Sequence, residues 1–223
     1  MEKESKLRHY WHQTWHFIWH DNSLSSWVVN LILAFIIIKY IIYPLLGTVL
    51  GTDFPIVAVV SGSMEHKITK DHFGQQRLCS KTFNQRFSIN FDDWWNTCGS
   101  WYVNNFEITK EQFITFSFRN GFNTGDIMIL YSPEKINIGD VIVFNSYYIN
   151  DPIIHRVVAI ENEVFITKGD HNSDRDKFIN PLNNKEEIKI KKENIVGKAM
   201  IRIPFLGWIK ILFVELLKLL GVV

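Results

Sequence analysis

An excess of charge of either sign is absent from this chain. Its 223 residues carry 24 lysines and arginines against 23 aspartates and glutamates, which gives a formal net charge of +1. Nucleic-acid-binding domains usually carry a basic excess, so the sequence predicts no nucleic-acid partner. Internal repeats and low-complexity tracts are absent as well, and no metal-ligand cluster of convincing spacing is present. We therefore predict no metal and no organic cofactor.

One long apolar stretch is present. Residues 27–50 read WVVNLILAFIIIKYIIYPLLGTVL, and Lys39 is their only charged residue. A helix of this length crosses a hydrocarbon core of about 30 Å. The apolar part of a secretory signal peptide has only about 7 to 15 residues, and no small-residue cleavage site stands out here. The stretch therefore predicts a retained transmembrane anchor, which we place at 24–50.

Basic residues on the two sides of this anchor predict its orientation. Lys3, Lys6 and Arg8 precede it, whereas no lysine or arginine follows it until Lys67. By the positive-inside rule, the N-terminus is cytoplasmic. The rest of the chain then begins on the outer or luminal side of a cell membrane or an endoplasmic-reticulum-type membrane.

Cysteine is scarce, since Cys79 and Cys98 are the only two. On the outer side of a membrane they are eligible to form a disulfide. Bridging also requires a suitable Cα separation, which the sequence does not give. A disulfide and a pair of buried thiols therefore fit the sequence equally well.

The predicted cytoplasmic segment, 1–23, carries a periodic aromatic pattern. Trp11, Trp15 and Trp19 recur every four residues, with histidines beside them. This spacing places the indole rings along one face of a helix. Histidines four residues apart can bind a metal, but neither a carboxylate nor a thiol completes the set. The pattern therefore favours a helix that lies on the membrane surface.

A hydrophobic helix is also predicted at the C-terminal end, over 204–223. It carries three charged residues, Lys210, Glu215 and Lys218, which do not share one narrow face. A short second membrane span and an interfacial helix both fit this pattern, and the hydrophobicity favours the span.

From residue 125 the sequence changes to short β-rich runs separated by turn residues. These runs read DIMILYS, GDVIVFNSYY, PIIHRVVAI, EVFITKGD and NIVGKAMIRI. They predict a mainly β domain, an antiparallel β-barrel or folded sheet, formed by 51–64 and 125–203. The residues between, 65–124, are rich in Trp, Phe and Asn, and are here called the inserted block. A block this long is usually functional or structured in its own right.

Ser63, in the stretch VVSGSMEH, is the candidate nucleophile. A serine hydroxyl attacks well when a base removes its proton and a third group orients that base. His155 in PIIHRV is the candidate base, and Asp170 and Asp176 in KGDHNSDRD are the candidate acids. Taken singly, each has a simpler explanation, as a half-buried strand histidine or a turn-forming aspartate. Their order along the chain, each at a strand end or turn, favours the catalytic interpretation.

Four motifs, SGSME, GDVIVF, IIHRV and TKGDHNSDRD, resemble in order the conserved boxes of type I signal peptidases. The resemblance is to the archaeal and endoplasmic-reticulum branch, because the bacterial branch has a lysine as base where this chain has His155. It covers 55–64 and 125–203, and it implies a signal-peptidase-like catalytic domain behind an N-terminal membrane anchor.

The resemblance also implies roles for individual residues. Ser63 resembles the nucleophile, His155 the general base and Asp176 the acid that orients the histidine. Asp170 is similar to a further aspartate of the family that supports the site. Ser61 resembles a residue whose hydroxyl helps to form the oxyanion hole, although a turn hydroxyl bonded to its own backbone is the simpler interpretation.

Two features depart from the family pattern. The family usually has a proline where this chain has His66, so a residue that fixes φ near the nucleophile is missing. The inserted block interrupts a stretch that normally runs directly from the serine to a glycine-aspartate turn, here Gly125 and Asp126. We expect the block to cover the site, bind substrate or recruit a partner.

The function implied by the resemblance is that of a membrane-bound serine endopeptidase that removes N-terminal signal peptides from exported preproteins at the outer membrane surface. The implied partners are preprotein signal peptides, the lipid bilayer and the secretion machinery, and the reaction needs no cofactor. Two other interpretations share these features. One is a membrane-anchored binding or assembly module with a peptidase-like sheet, and the other is a processing protease dedicated to one surface protein.

Overall fold

The computed structural model describes residues 2–71, 73–85, 88–146, 151–180, 185–187 and 190–219. The chain forms two compact units, Met1–Val49 and Leu50–Val223. The α-helices are α1 (Glu2–Trp19), α2 (Leu24–Ile37), α3 (Tyr43–Leu50), α4 (Phe91–Phe106), α5 (Lys110–Ile114) and α6 (Trp208–Leu219). The strands are β1 (Ile56–Ala58), β2 (Thr69–Lys70), β3 (Gln76–Leu78), β4 (Lys81–Phe83), β5 (Ile127–Tyr131), β6 (Val141–Phe144), β7 (Ile153–Glu161), β8 (Val164–Lys168), β9 (Phe178–Asn180), β10 (Lys185–Glu187), β11 (Ile190–Lys191) and β12 (Ile195–Ile203).

The predicted anchor is a single long helix that combines α2 and α3. The oxygen of Ser23 caps its start by accepting a hydrogen bond of 3.3 Å from the N–H of Ser26. A wide π turn, Ile38–Ile42, connects α2 to α3. The turn ends two residues before the helix residue Pro44, which cannot donate a backbone hydrogen bond. The result is one helix of 27 residues, Leu24–Leu50.

This helix has the composition of a membrane span. Its mean hydropathy is 2.2, and among the described residues it is the one helix that is long and apolar enough to cross a bilayer. Lys39, its only charged residue, lies in the π turn. The Nζ atom is 5.7 Å from the ring centroid of Phe35 and 5.2 Å from that of Tyr40. Such ring faces attract a cation, which eases the placement of this charge.

The predicted surface helix is α1. Its three tryptophans lie along one face with ring centroids 6.3 Å and 5.6 Å apart, and all three are exposed. Two side chains of α2 satisfy carbonyl groups at the end of α1. Ser26 donates to the oxygen of Phe17 over 2.6 Å, and Asn30 donates to that of Ile18 over 2.9 Å. These bonds fix the corner between the two helices.

The second unit is built on a curled antiparallel sheet of seven strands. Their spatial order is β1-β5-β12-β6-β7-β8-β11, so β1 and β11 form the edges. The five β-rich runs of the sequence coincide with β5, β6, β7, β8 and β12 to within a few residues, which confirms the prediction of a mainly β, antiparallel fold. Residues 147 and 148, the end of the run GDVIVFNSYY, lie outside the described residues.

The central strand β6 is buried on both faces. Val141 and Val143 belong to a cluster that also contains Met64. Ile142 belongs to a different cluster, together with Val157. Because successive strand residues point to opposite faces, these two clusters lie on opposite sides of the sheet.

The inserted block is ordered and packs against the sheet. It contains a small sheet in the order β2-β3-β4, followed by α4 and α5. A capping box between Asn90 and Asp93 defines the start of α4. The Cys79–Cys98 disulfide joins the β3–β4 turn to α4. Seven buried residues of the block share one core with β7 and β8, formed by Ile68, Leu78, Trp94, Cys98, Tyr102, Ile108, Phe113, Val158, Ala159 and Ile166.

The predicted C-terminal helix is α6, and its start contacts the glycine-aspartate turn at Gly125 and Asp126. The N–H of Gly207 donates to the oxygen of Gly125 over 2.8 Å. Gly125 has a φ of +89°, and a Cβ at this position would lie 2.1 Å from Nε1 of Trp208, so glycine is required. The 12 residues of α6 rise about 18 Å, less than a bilayer core. Residues 220–223 lie outside the described residues, so a second span stays a prediction.

Candidate active site

Ser63 lies in a turn that follows β1. The N–H of Glu65 donates to the oxygen of Gly62 over 3.0 Å and closes this turn. The next side chain, Met64, is fixed in the sheet core, and its carbonyl accepts a hydrogen bond of 3.2 Å from the N–H of Phe122. Because Met64 is anchored in this way, Ser63 is held at the wall of a cleft, where it stays half-buried.

His155 lies on β7 and connects the serine to a carboxylate. Its Nε2 is 2.8 Å from Oγ of Ser63, and its Nδ1 is 2.6 Å from Oδ2 of Asp176. The carboxylate accepts a hydrogen bond from the N–H at Nδ1, which leaves the lone pair of Nε2 free to accept the serine proton. The three side chains thus stand in the order of nucleophile, base and orienting acid.

Asp176 is held next to His155 by β8. Its backbone N–H donates to the carbonyl oxygen of Thr167 over 2.8 Å, and the hydroxyl of Thr167 donates to Oδ2 of Asp176 over 2.6 Å. Thr167 is fully buried. These two bonds fix both the backbone and the carboxylate of the orienting acid, a contribution of Thr167 that the sequence did not reveal.

Ser61 lies beside the serine that the sequence proposes as nucleophile. Its Oγ is 3.2 Å from Oγ of Ser63, and its side chain is exposed. A second hydroxyl is therefore present close to the position where an oxyanion would develop.

The loop 169–171 lies against the serine and the histidine. A Cβ at Gly169 would be 2.8 Å from Nε2 of His155 and 2.8 Å from the carbonyl oxygen of Ser63. The N–H of His171 donates to that same oxygen over 2.8 Å. The glycine is therefore required by close approach, and the loop determines where the serine backbone lies.

The structure places Asp170 in a separate, buried network rather than against His155. Its carboxylate accepts hydrogen bonds from Nε and Nη2 of Arg156 over 2.9 Å and 2.7 Å, and from Tyr102 and His66 over 2.9 Å each. Arg156 is fully buried as well, and its remaining N–H groups donate to the carbonyl oxygens of Ser117, Gly139 and Phe118. All five donors of the guanidinium group are thus satisfied.

Burial and charge shift the pKa values within this network. Burial by itself raises the pKa of Asp170, but the charge of Arg156 and the hydrogen bond from His66 hold that pKa well below its usual range. Burial lowers the pKa of His66. Burial and the charge of Asp170 raise the pKa of Tyr102 well above its usual value. At neutral pH the network therefore contains one ion pair and two neutral donors.

Lys168, one residue before the loop, is buried under α4. Its Nζ donates to the oxygen of Gly169 over 3.0 Å and lies 5.1 Å and 4.9 Å from the ring centroids of Trp101 and Tyr102. Burial lowers the pKa of Lys168 to about 8, although Asp170 and other nearby carboxylates oppose this shift.

The sequence patterns did not predict several residues that surround Asp170 in the structure. Arg156 had a visible signal, because it is a charged residue in the middle of an otherwise apolar run. His66 was noted only as a departure from a family pattern. Tyr102 had no signal, because it lies in a different block of sequence from every residue that it contacts in the network.

A cleft of about 410 Å³ opens beside Ser63 and His155. Its walls come from the segment that begins at the end of β1, including Ala58 and Val60, and from residues 151–154 at the start of β7. No lining residue belongs to the inserted block. The cleft is therefore bounded by the segment after the edge strand β1 and by the start of β7, and the inserted block does not line it.

Comparisons with known proteins agree with the motif pattern. No family model matches the chain. The chain is 32% identical over 104 residues to the signal peptidase complex catalytic subunit SEC11 of Lodderomyces elongisporus, which covers 44% of this chain and 61% of the relative. The SEC11 subunit of Lachancea thermotolerans is 36% identical over 103 residues, covering 43% and 60%. That of Colletotrichum graminicola is 30% identical over 106 residues, covering 44% and 60%.

These matches span about three fifths of the length of the relatives. They confirm the resemblance that the four motifs predict. Over somewhat less than half of its length, the chain is similar to the SEC11 catalytic subunits of the signal peptidase complex.

Proposed function

We propose that this chain is a membrane-anchored serine endopeptidase that removes signal peptides from exported preproteins. The observation that carries the proposal is the continuous hydrogen-bonded series Ser63, His155 and Asp176, with distances of 2.8 Å and 2.6 Å. A pure binding module has no physical need for this series at the wall of a cleft. The similarity to signal peptidase catalytic subunits supports the same activity.

In the first half of the reaction, Oγ of Ser63 attacks the scissile carbonyl carbon while Nε2 of His155 takes the serine proton. The negative charge on the carbonyl oxygen is stabilised by the N–H of Ser63 and the hydroxyl of Ser61. His155 then gives the proton to the leaving nitrogen. The mature protein leaves with a new N-terminal amine, and the signal peptide stays bound to Ser63 as an ester.

In the second half, water attacks this ester and His155 accepts the proton of the water. The ester bond breaks, the proton returns to Oγ of Ser63, and the signal peptide leaves with a new carboxylate. Asp176 holds Nδ1 of His155 throughout, which keeps the ring in the tautomer that each proton transfer requires.

The substrate would bind in extended form along β1. This strand pairs with β5 and is an edge of the sheet among the described residues. Its unpaired backbone groups are able to bond an added strand, and side chains of the substrate would then alternate into the cleft. Ala58, Val60 and Ile154 supply apolar walls close to Ser63. Such walls suit the small residues that precede the cleavage site of a signal sequence.

The membrane placement extends the proposal. The 27-residue helix anchors the chain, with the N-terminus in the cytoplasm and the second unit on the outer or luminal side, as the basic residues before the helix indicate. Ser63 lies only 13 residues after Leu50, a reach of at most about 45 Å. A signal peptide that leaves the bilayer would therefore pass near the serine. The same proposal includes three further points. The helix α1 lies on the membrane surface, the chain divides into domains at the predicted boundaries, and the protein contacts the secretion machinery.

The test is cleavage of a signal-bearing preprotein by the full chain in lipid vesicles. We expect Ser63→Ala to lower kcat roughly 10⁵-fold to 10⁶-fold, because the nucleophile is lost. Ser100→Ala, which removes an exposed hydroxyl on α4, is the matched control and should cleave like the wild type. The new N-terminus of the product is then sequenced, and it should follow a small residue.

Equal cleavage by the wild type and Ser63→Ala would disprove the serine mechanism. Binding of the preprotein without cleavage by the folded wild type would favour the binding module instead. Cleavage of one surface protein alone, among several preproteins, would favour the dedicated protease.

A further inference from the structure

The inserted block reaches the loop 169–171 from three directions. Tyr102 on α4 donates its hydroxyl proton to Oδ1 of Asp170. The N–H of Cys79 donates to the carbonyl oxygen of His171 over 3.0 Å, and Sγ of Cys79 lies 3.4 Å from the carbonyl oxygen of Asp170. Thr69 on β2 lies 3.0 Å from Nε2 of His171. Every residue of the loop except Gly169 is therefore bonded to the block.

The first residues of the block add a further contact beside the serine. His66 bonds to Asp170 through Nε2, and its ring stacks on Trp94 of α4 with centroids 3.7 Å apart and planes 5° apart. His66 is three residues from Ser63 in the chain. The turn that holds the serine is thus joined to α4 by ring stacking and by the shared carboxylate of Asp170.

The same loop determines the position of the reacting groups. It bonds the carbonyl oxygen of Ser63 through His171, and Gly169 packs against Nε2 of His155. A shift of the loop by a fraction of an ångström would change the distance between the serine and the histidine. The inserted block supplies no residue to the cleft, so the apolar walls at Ala58, Val60 and Ile154 should keep their contacts with the substrate.

The disulfide fixes the two parts of the block that touch the loop. Cys79 contacts the loop directly, and Cys98 lies one helical turn before Tyr102 on α4. Cys98 is 1% exposed, whereas Cys79 is half-buried. The disulfide therefore holds Cys79 and α4 at a fixed separation, and with them the two contacts that Cys79 and Tyr102 make with the loop 169–171.

We propose that Tyr102 and the Cys79–Cys98 disulfide are positioning elements for the catalytic serine and histidine, acting through the loop 169–171. The inserted block is thus a brace behind the reacting groups, and reduction of its disulfide lowers the catalytic rate without changing substrate binding. This inference rests on the proposed peptidase function.

The chemistry of release is thiol-disulfide exchange with a dithiol reductant. A thiolate of the reductant attacks Sγ of Cys79, the more exposed of the two cysteines, and Cys98 leaves as a thiolate that takes up a proton. The second thiol of the reductant then displaces Cys79 from the mixed disulfide. The products are two cysteine thiols and one oxidised, cyclic reductant.

The first test is kinetic and uses the full chain in vesicles with a signal-bearing preprotein. Tyr102→Phe should lower kcat about 10-fold to 100-fold, because small misplacements of reacting groups cost this much. KM should change less than about twofold, since only transition-state contacts are affected. Tyr131→Phe, which removes an exposed hydroxyl on β5, is the matched control and should keep the wild-type kcat.

Dithiothreitol supplies the second arm of this test. It should lower kcat of the wild type to the level of the double variant Cys79→Ser with Cys98→Ser. The double variant itself should not respond to dithiothreitol. If dithiothreitol also lowered kcat of the double variant, the reductant would be acting on something other than the disulfide, and the proposed role of the disulfide would be overturned.

The third measurement reads the loop without any cleavage. Hydrogen exchange of the His171 amide, which donates to Ser63, should accelerate in Tyr102→Phe and in the reduced wild type. The amide of Val157, which donates to Asp140 over 2.8 Å on β7, should keep its protection as an internal reference. Equal acceleration at both amides would indicate general loosening and would overturn the specific brace.

The outcomes separate this inference from the proposed function. Wild-type kcat in both Tyr102→Phe and the reduced wild type, with Ser63→Ala inactive, would refute the brace and leave the peptidase intact. A raised KM at unchanged kcat would refute it too, because the block would then be binding substrate. An inactive wild type would refute the peptidase, and His171 exchange would still decide whether the brace exists.

Discussion

His155 and Arg156 are neighbours on β7, and their side chains leave opposite faces of the strand. His155 faces the cleft, where it bonds Ser63 and Asp176. Arg156 faces the inserted block, where it is fully buried against Asp170. Each of the two side chains bonds a carboxylate through its nitrogen atoms. The two pairs differ in their surroundings, because one lies at the cleft and the other is buried under the inserted block.

This difference in surroundings suits the pair at the cleft to catalysis and the pair under the block to stabilising the fold. The pair at the cleft can exchange a proton with a substrate, because its side chains reach a space of about 410 Å³. The pair under the block makes a closed set of hydrogen bonds, and a charge that loses its partner there has no water to replace it. The same Asp→Asn substitution should therefore act mainly on kcat at Asp176 and mainly on the free energy of unfolding at Asp170.

The largest expected effect is on the cleft side. Asp176→Asn should lower kcat about 10⁴-fold, because an amide at this position no longer stabilises the required histidine tautomer. The free energy of unfolding should change by less than about 1 kcal/mol, since the hydrogen bonds to this side chain are partly replaced. Preprotein cleavage and urea unfolding in detergent micelles measure the two quantities. A kcat near that of the wild type would contradict the role of Asp176.

The next effect is on the buried side. Asp170→Asn leaves the guanidinium of Arg156 buried without its negative partner, which should destabilise the fold by roughly 3 to 5 kcal/mol. The folded fraction should fall, and the protein that stays folded should cleave more slowly, because the contact between Tyr102 and the loop 169–171 is weakened. Asp92→Asn breaks a surface ion pair to Lys110, in which the Asp92 side chain is 69% exposed, and is the matched control. It should cost at most about 1 kcal/mol. Similar unfolding of the two variants would refute the special status of Asp170.

The smallest effect concerns pH. The lowered pKa of Lys168, about 8 against 10.5, means that the unfolded chain binds more protons than the folded chain between these values. Stability from this group therefore rises with pH in that window and is lost as the pH falls through about 8. The groups that act on Lys168 are Asp170, Asp174, Asp176 and Arg156.

The measurement compares the wild type with Lys168→Met by urea unfolding at several values between pH 8 and 9.5. The difference in unfolding free energy should shift in favour of the wild type by roughly 1 to 2 kcal/mol over this range. Tyr102 titrates in both proteins, so its raised pKa cancels in the difference. A difference that stays constant with pH would contradict the buried environment of Lys168.

Local patterns predicted much of the architecture. Alternation and turn residues identified β5, β6, β7, β8 and β12, because a strand shows its period of two within a few residues. The 27-residue helix was equally visible, since an uninterrupted apolar run needs no partner to be recognised. Ser63, His155 and Asp176 were found through motif order, and the choice of Asp176 over Asp170 as neighbour of His155 rested on resemblance alone.

Other features had no local signal. The order of strands in the sheet places β12 between β5 and β6, which are consecutive in sequence, and no pattern within β12 specifies these neighbours. The two cysteines fitted a disulfide and free thiols equally well until the β3–β4 turn and α4 were placed side by side. The inserted block was expected to cover the site, bind substrate or recruit a partner, and no sequence pattern indicated that it contacts the loop 169–171 away from the cleft.

Local sequence patterns were sufficient to predict the long apolar helix, the strands β5, β6, β7, β8 and β12 and the kinds of residue available for chemistry, because apolar runs, strand periods and motif order are properties of adjacent residues. The tertiary structure alone decided which of two aspartates bonds His155, and that Tyr102, His66 and Arg156 share the other one. Contacts over such separations depend on how the sheet curls and where the block packs. These are determined by the summed burial of many side chains rather than by any short stretch of sequence.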